Sequence, residues 1–257
     1  LADGCPISRN PADALALVAD LLPLRTAYTA RGRTPPPEFQ VSLDRLMGFL
    51  RLMRHTEGAL ALFNGMGSTS FNLLGAVLAF DDAKADPPVT ARYGGFQRLE
   101  RAGTMLICDV GDCPPHEAAC AAHAGALSFE FSAGPERIVV NCGAPPSGLV
   151  DLREALRETA AHSTLSVDGC SSARFHAWRD AVGAVRREVR DSGGRPTVSH
   201  EATGDGERLV LSHDGYAREF GLVHHRTLEL SLDGDRLAGV DRFDALRPSP
   251  EDMPPVL

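Results

Sequence analysis

Seven side chains able to move protons or grip an anion fall within fourteen positions of the segment SHDGYAREFGLVHHRTLEL: His213, Asp214, Tyr216, Arg218, His224, His225 and Arg226. Two readings of this cluster stand open. In one it forms a polar cleft wall, with Tyr216 and His224 exchanging protons and Arg218 and Arg226 binding a carboxylate through the planar guanidinium fork. In the other it is a hairpin whose outward side chains happen to be titratable. A second set is more dispersed. His123 opens HAGALSFEF, His162 opens AHSTLSVDG, and Asn141 ends VVNCG, so all three sit at the ends of strand-like segments. Side chains at strand ends can converge across a sheet, and two imidazoles with one oxygen ligand would suit zinc. The competing reading is a pair of ordinary hydrogen-bonded histidines.

These residues need a scaffold, and the sequence changes period partway along. Asn10-Pro11 reads as a helix N-cap followed by proline at the first helical position, and Leu15, Val18, Leu21 and Leu22 then recur at helical spacing, with a stop expected near Pro23. Phe39, Leu43, Leu46, Met47, Leu50 and Met53 share one face of a second helix, and a short third is expected over 71–80. Asp86-Pro87-Pro88 breaks the pattern, which places a domain boundary there: a helical segment 1–86 and a strand-rich segment 87–257. Beyond it the period falls to two. Leu127, Phe129 and Phe131 alternate with Ser128, Glu130 and Ser132 before Ala133-Gly134-Pro135 turns the chain, a hairpin with one wet face. Further strands are expected at 104–108, 164–167, 185–189, 208–211 and 227–232, the last closing on Asp233-Gly234. Repeated hairpins without long helices between them imply an antiparallel sandwich, so the fold class is α+β and multidomain.

Composition narrows the function. A net charge of −8 opposes tight binding to polyphosphates and makes nucleic acid an unlikely partner. Lys84 is the one lysine among 26 basic residues, a bias that a GC-rich genome explains better than anion recognition. The six cysteines include no C-x-x-C pair and read as isolated thiols. No leader or apolar run of membrane-spanning length is visible, and the start reads as an interior cut. Phe63-Asn64-Gly65-Met66-Gly67 is read as a turn leaving the helices, not a nucleotide loop, and no G-x-S-x-G elbow occurs. Trp178 is read as a packing residue before a sugar platform.

The ordered set DGCPISRNP, FNGMG, GGFQRLERAGTMLICD, HAGALSFEF, IVVNCG, AHSTLSVDG and HDGYAREFGLVHHRT resembles heparinase II/III-like proteins from end to end. The resemblance implies the C-terminal part of an α/α toroid followed by an antiparallel β-sandwich, within a longer parent located in the cell envelope or periplasm. It implies β-elimination on a uronic-acid polysaccharide, with a group that neutralises the uronate, a base and an acid, and no water consumed. A noncatalytic glycan-binding or envelope-structural protein is the alternative. Where active relatives resemble H-A-H-A-D, this chain has AAHAG, which puts Ala121 at the catalytic His position and leaves His123. Asn141 falls where metal-containing relatives have a zinc-binding Asp, and His162 where they have a third ligand. The toroid tyrosine is replaced by Ala12 or Asp13. Tyr216, His123 and His224 are therefore the catalytic candidates, Arg218 and Arg226 the substrate-binding ones, and His123, Asn141 and His162 the candidate zinc ligands.

Overall fold

The computed structural model describes residues 1–81, 85–183 and 185–246. Its first helix, α1 (Pro11–Ala30), starts where the sequence signals it. Asn10 is extended and its side chain accepts a hydrogen bond from the Ala12 N–H at 2.9 Å, with proline in the first turn. The stop expected near Pro23 does not occur. An internal proline loses one backbone hydrogen bond and crowds the preceding turn, but Pro23 is exposed, so the defect faces solvent while neighbouring Leu22 is packed in the core. Helices α2 (Pro37–Leu52) and α3 (Phe71–Leu78) follow.

The expected break at Pro87-Pro88 falls between α3 and the first strand. Strands β1 (Thr90–Ala91), β2 (Phe96–Arg101), β3 (Thr104–Asp109), β4 (Phe129–Ala133) and β5 (Glu136–Val139) form one sheet in chain order. Strands β6 (Arg174–Arg179) and β7 (Val185–Asp191) make a separate hairpin. Strands β8 (Thr197–Thr203), β9 (Gly206–His213), β10 (Leu222–Ser231) and β11 (Leu237–Ala245) make a four-stranded sheet in the order β11-β10-β9-β8. Every pairing is antiparallel.

The layers follow from where the apolar side chains go. Strand β3 is buried along its whole length. Met105 and Ile107 join Phe96, Leu46, Phe49 and Leu50 in a cluster under the helices, while Leu106 and Cys108 meet Leu209, Leu211, Leu228 and Leu230 of the second sheet. The first sheet is thus the middle layer between helices and four-stranded sheet, an N-terminal helical region followed by antiparallel sheets as in an α/α toroid with a β-sandwich.

Two expected strands are corrected by this arrangement. The hairpin of β4 and β5 has no wet face along Ser128, Glu130 and Ser132, because all three are fully buried beneath the helical segment. Leu127 does not belong to β4 either; its φ of 59° puts it in a turn before the strand begins. At 164–167 no strand forms beyond an isolated bridge between Val167 and Cys170. There the Thr164 hydroxyl donates to Ala126 O at 2.9 Å and Ser163 bonds Phe129, and such side-chain bonds compete with a ladder.

Buried charge ties the helical segment to the middle sheet. Arg9, at a φ of 58°, donates to Gly94 O at 2.7 Å and Asp112 O at 2.9 Å, pairs with Asp109, and stacks over Phe96 at 4.8 Å. Glu130 of β4 accepts hydrogen bonds from Leu62 N–H at 3.1 Å and Asn141 N–H at 3.0 Å, and its other oxygen meets His55.

Candidate functional site

A groove of ≈ 820 Å³ opens between α1, α2 and the 3₁₀ turn His116–Ala121. Gly65, at a φ of 85°, lies so close to Ala121 that an added Cβ would sit 3.1 Å from the Ala121 carbonyl oxygen. Ala121 and Asp13 both line this groove; Ala12, the other residue at the toroid tyrosine position, does not. Its other ionisable lining groups are Asp20, Glu117, Arg45 and the thiols of Cys5 and Cys120; no imidazole or phenol lines it among the described residues. Three carboxylates against one guanidinium give the groove a negative bias.

Two residues past Ala121 the chain reaches His123, whose backbone N–H lies 3.4 Å from Asn64 Oδ1. Its Nδ1 is 3.0 Å from His162 Nε2, with the two rings nearly perpendicular. His162 Nδ1 sits 2.8 Å from the Glu158 carbonyl oxygen, which can only accept, so the proton is on Nδ1 and the Nε2 lone pair faces His123. Burial lowers the pKa of both rings, that of His123 further through the neighbouring His162 and Arg157. Both are therefore neutral at pH 7, the form that can accept a proton or ligate a metal. Asn141 lies alongside but turns its Oδ1 to the Ser163 N–H at 3.1 Å, while its Nδ2 has no hydrogen-bond partner among the described residues. Two of the three candidate zinc ligands are thus side by side, and the third presents its oxygen to Ser163.

The cluster around Tyr216 lies elsewhere, in the four-stranded sheet. His213 of β9 pairs with His224 of β10 in register. His213 Nδ1 accepts from Gly215 N–H at 3.1 Å, so its proton is on Nε2, which donates across 3.1 Å to His224 Nδ1. His224 Nε2 then donates to Asp241 Oδ1 at 2.7 Å, and Arg226 engages both oxygens of Asp241 at 2.7 and 2.9 Å. Arg226 also donates to Leu127 O and Ser163 O, each at 2.7 Å. Burial, reinforced by His224 and Arg226, pushes the His213 pKa down to about 3. Burial alone would disfavour the Asp241 carboxylate, but the hydrogen bonds from His224 and Arg226 hold it well below the usual carboxylate range. Tyr216 is 1% exposed, its hydroxyl donates to Leu165 O at 2.7 Å, and burial pushes its pKa up to about 12.

The sequence-derived candidates therefore fall into three places. His123 and His162 form one pair with Asn141 nearby. Tyr216, His224 and Arg226 are interior members of the sandwich, each with a protein partner. Arg218, on the short helix Ala217–Phe220, is exposed and pairs with Asp191 at 2.8 Å. Sequence reading did not single out His55, Glu130 or Asp241, whose roles depend on partners far along the chain. Asn64 carried a local signal: Asn-Gly favours positive φ, and Asn64 has a φ of 47°.

Comparison with known proteins agrees with this fold. Residues 83–252 match the family model described as heparinase II/III-like, C-terminal. FtsZ-localized protein C of Caulobacter vibrioides (strain NA1000 / CB15N) is 29% identical over 252 residues, 98% of this chain and 43% of that protein. Among solved structures, a heparinase III gene product superposes with a TM-score of 0.71 at 14% identity, over 95% of this chain and 39% of that one. A heparan sulfate lyase from Pedobacter heparinus gives 0.67 at 14% identity with the same coverages. The chain spans less than half the length of each of these relatives. With the family model covering most of the described sequence, the chain belongs to the heparinase II/III-like family.

Proposed function

We propose that this protein holds an acidic, uronate-containing glycan of the cell envelope on a polysaccharide-lyase scaffold, as a binding or structural protein. The observation that carries this reading is the groove lining: Ala121 and Asp13 stand where the resemblance expects a proton-transfer His and Tyr, and the remaining ionisable lining side chains are carboxylates, thiols and one arginine. A groove without a neutral imidazole or phenol has no general base matched to neutral pH and no acid for a departing glycosidic oxygen. The relative named for its localisation with FtsZ supports a place beside FtsZ for this protein. Tyr216 and His224, with every polar ring atom engaged inside the sandwich, serve the scaffold under this reading.

A second reading, β-elimination, is favoured by the neutral His123–His162 pair two residues beyond Ala121. There a base removes the proton α to the uronate carboxylate, the glycosidic C–O bond breaks, and the departing oxygen takes a proton, leaving an unsaturated sugar. His123 is the base in that scheme. Zinc belongs to the proposal at the same pair, held by His123 and His162, with Asn141 as third ligand once its oxygen leaves Ser163.

Ultraviolet-monitored turnover and calorimetric binding against uronate polysaccharides, run on the full-length protein with His123→Ala and Tyr216→Phe beside it, separate these readings. Saturable binding without a rising near-ultraviolet signal is expected. A rising signal abolished by His123→Ala would replace the binding reading with the lyase; neither binding nor signal would overturn both.

A further inference from the structure

The acidic groove leaves open where a uronate chain finds its positive counterpart, and the β6–β7 hairpin answers that. Segment 174–191 carries five arginines against three carboxylates, a net of +2 within a chain of net −8. The register puts His176 opposite Glu188 and Trp178 opposite Arg186, so these four share one face. The other face carries Phe175 and Val189, which pack into the interior. Trp178 was expected to be a packing residue. Yet this largest side chain of the protein joins none of its three apolar clusters, whereas Phe175, three residues earlier, does.

What holds Trp178 instead is a buried anion. The Glu188 side chain has no exposed surface, and its Oε2 accepts from Trp178 Nε1–H at 3.2 Å and meets His116 Nδ1 at 2.7 Å. Its Oε1 pairs with Arg190. The His116 and Trp178 rings lie 6.3 Å apart. Around this sunken carboxylate the His116, Arg186 and Arg190 side chains remain 56%, 55% and 53% exposed. An indole locked by its N–H, beside a half-exposed imidazole and two half-exposed guanidiniums, Arg186 engaging Asp180 through Nε at 2.9 Å and keeping its terminal N–H groups for a ligand, offers a stacking face for a sugar ring and guanidinium forks for its carboxylate.

The position connects it to the groove. His116 begins the 3₁₀ turn whose last residue, Ala121, lines the groove, and six residues at about 2 Å rise put the two ends about 10 Å apart. We infer that the outer face of the β6–β7 hairpin, centred on Trp178 with Arg186, Arg190 and His116, is an anionic-sugar subsite that receives a uronate chain extending from the groove. This deepens the glycan-holding reading above and rests on it.

Trp178 is the one tryptophan of this chain, and the part of the emission response that Trp178→Ala removes reports on this subsite. The test titrates the full-length protein with a polygalacturonate hexasaccharide and, in parallel, a neutral cellohexaose, following tryptophan emission and calorimetric heat. A saturable emission change with the uronate sugar but not the neutral one is expected. Trp178→Ala and the Arg186→Ala/Arg190→Ala double variant should each weaken calorimetric binding by about tenfold or more, the scale of an interface hot spot. Circular dichroism and melting of the double variant, whose two side chains are half-exposed, guard against misfolding. If the wild-type protein binds the hexasaccharide with unchanged emission and both variants keep full affinity, the subsite is overturned while the glycan reading stands. If the wild-type protein gives no heat at all, both fall.

Discussion

His55 Nε2 and Glu130 Oε2 lie 2.7 Å apart with both side chains wholly removed from solvent, joining the chain just past α2 to β4 of the middle sheet. The other ring nitrogen of His55 is 3.0 Å from the Ser132 hydroxyl. Ser, His and Glu in a row have the order of a hydrolytic triad, but without access for substrate the array acts as a polar rivet between layers.

Replacing Glu130 with Ala leaves His55, Leu62 N–H and Asn141 N–H without an acceptor. Loss of one partner from a buried pair costs about 3–5 kcal/mol, so Glu130→Ala should fall near that range in chemical denaturation. A loss below about 1 kcal/mol, the range of a surface pair, would show that water replaces the carboxylate.

Acid should destabilise the fold through His213. Its folded pKa of about 3 lies below the ordinary value of 6.5, so the unfolded chain binds the proton more readily. Stability from this group is complete above pH 6.5 and is lost as pH falls toward about 3, with a limiting slope of about 1.4 kcal/mol per pH unit. Asp241, also held below its ordinary range, adds loss in the same direction at the acid end. Denaturation midpoints measured from pH 7 to pH 4 should fall less steeply in His213→Asn than in the wild type; parallel curves would remove His213 as the origin.

Tyr216→Phe removes the hydroxyl that donates to Leu165 O and also engages Thr159. An unpaired buried carbonyl costs about 1–3 kcal/mol, so the variant should melt earlier while its affinity for uronate oligosaccharides stays within about twofold of wild type. A collapse in affinity with unchanged melting would put Tyr216 at the sugar.

Zinc affinity should respond to the charge at residue 141. Asn141→Asp supplies an anionic oxygen beside two neutral imidazoles and should tighten zinc binding by about tenfold or more, a scale on which even outer ligands act. Equal zinc content in the wild type, Asn141→Asp and His162→Ala proteins would place any metal elsewhere.

Local grammar was legible in the sequence where the physics is local. Asn10-Pro11 starts a helix because its capping bond spans two residues. The Asp233-Gly234 turn closes β10 because Gly234 takes a φ of 74°. Glu130 was misread because a polar row in a strand signals water only if nothing covers it, and its cover comes from residues about 70 positions earlier. Pro23 was misread because exposure, not residue type, decides whether a lost helix bond is tolerated. His123 and His162 lie side by side although no strand forms at 164–167 to carry His162, and the partners of His224 and Arg226 at Asp241 gave no local sign.

Strand β3, buried on both faces, sets where the protein can be divided. The family match begins at residue 83, after the helices, and invites excision of the β half as a module. Such a cut would bare Phe96, Met105 and Ile107 to water and strand Glu130 without its imidazole. The stretch that the family model outlines is then not the unit that folds as one: its border falls beside the proline pair, whereas cohesion, like the likeness to FtsZ-localized protein C over 98% of the chain, takes in the helices as well.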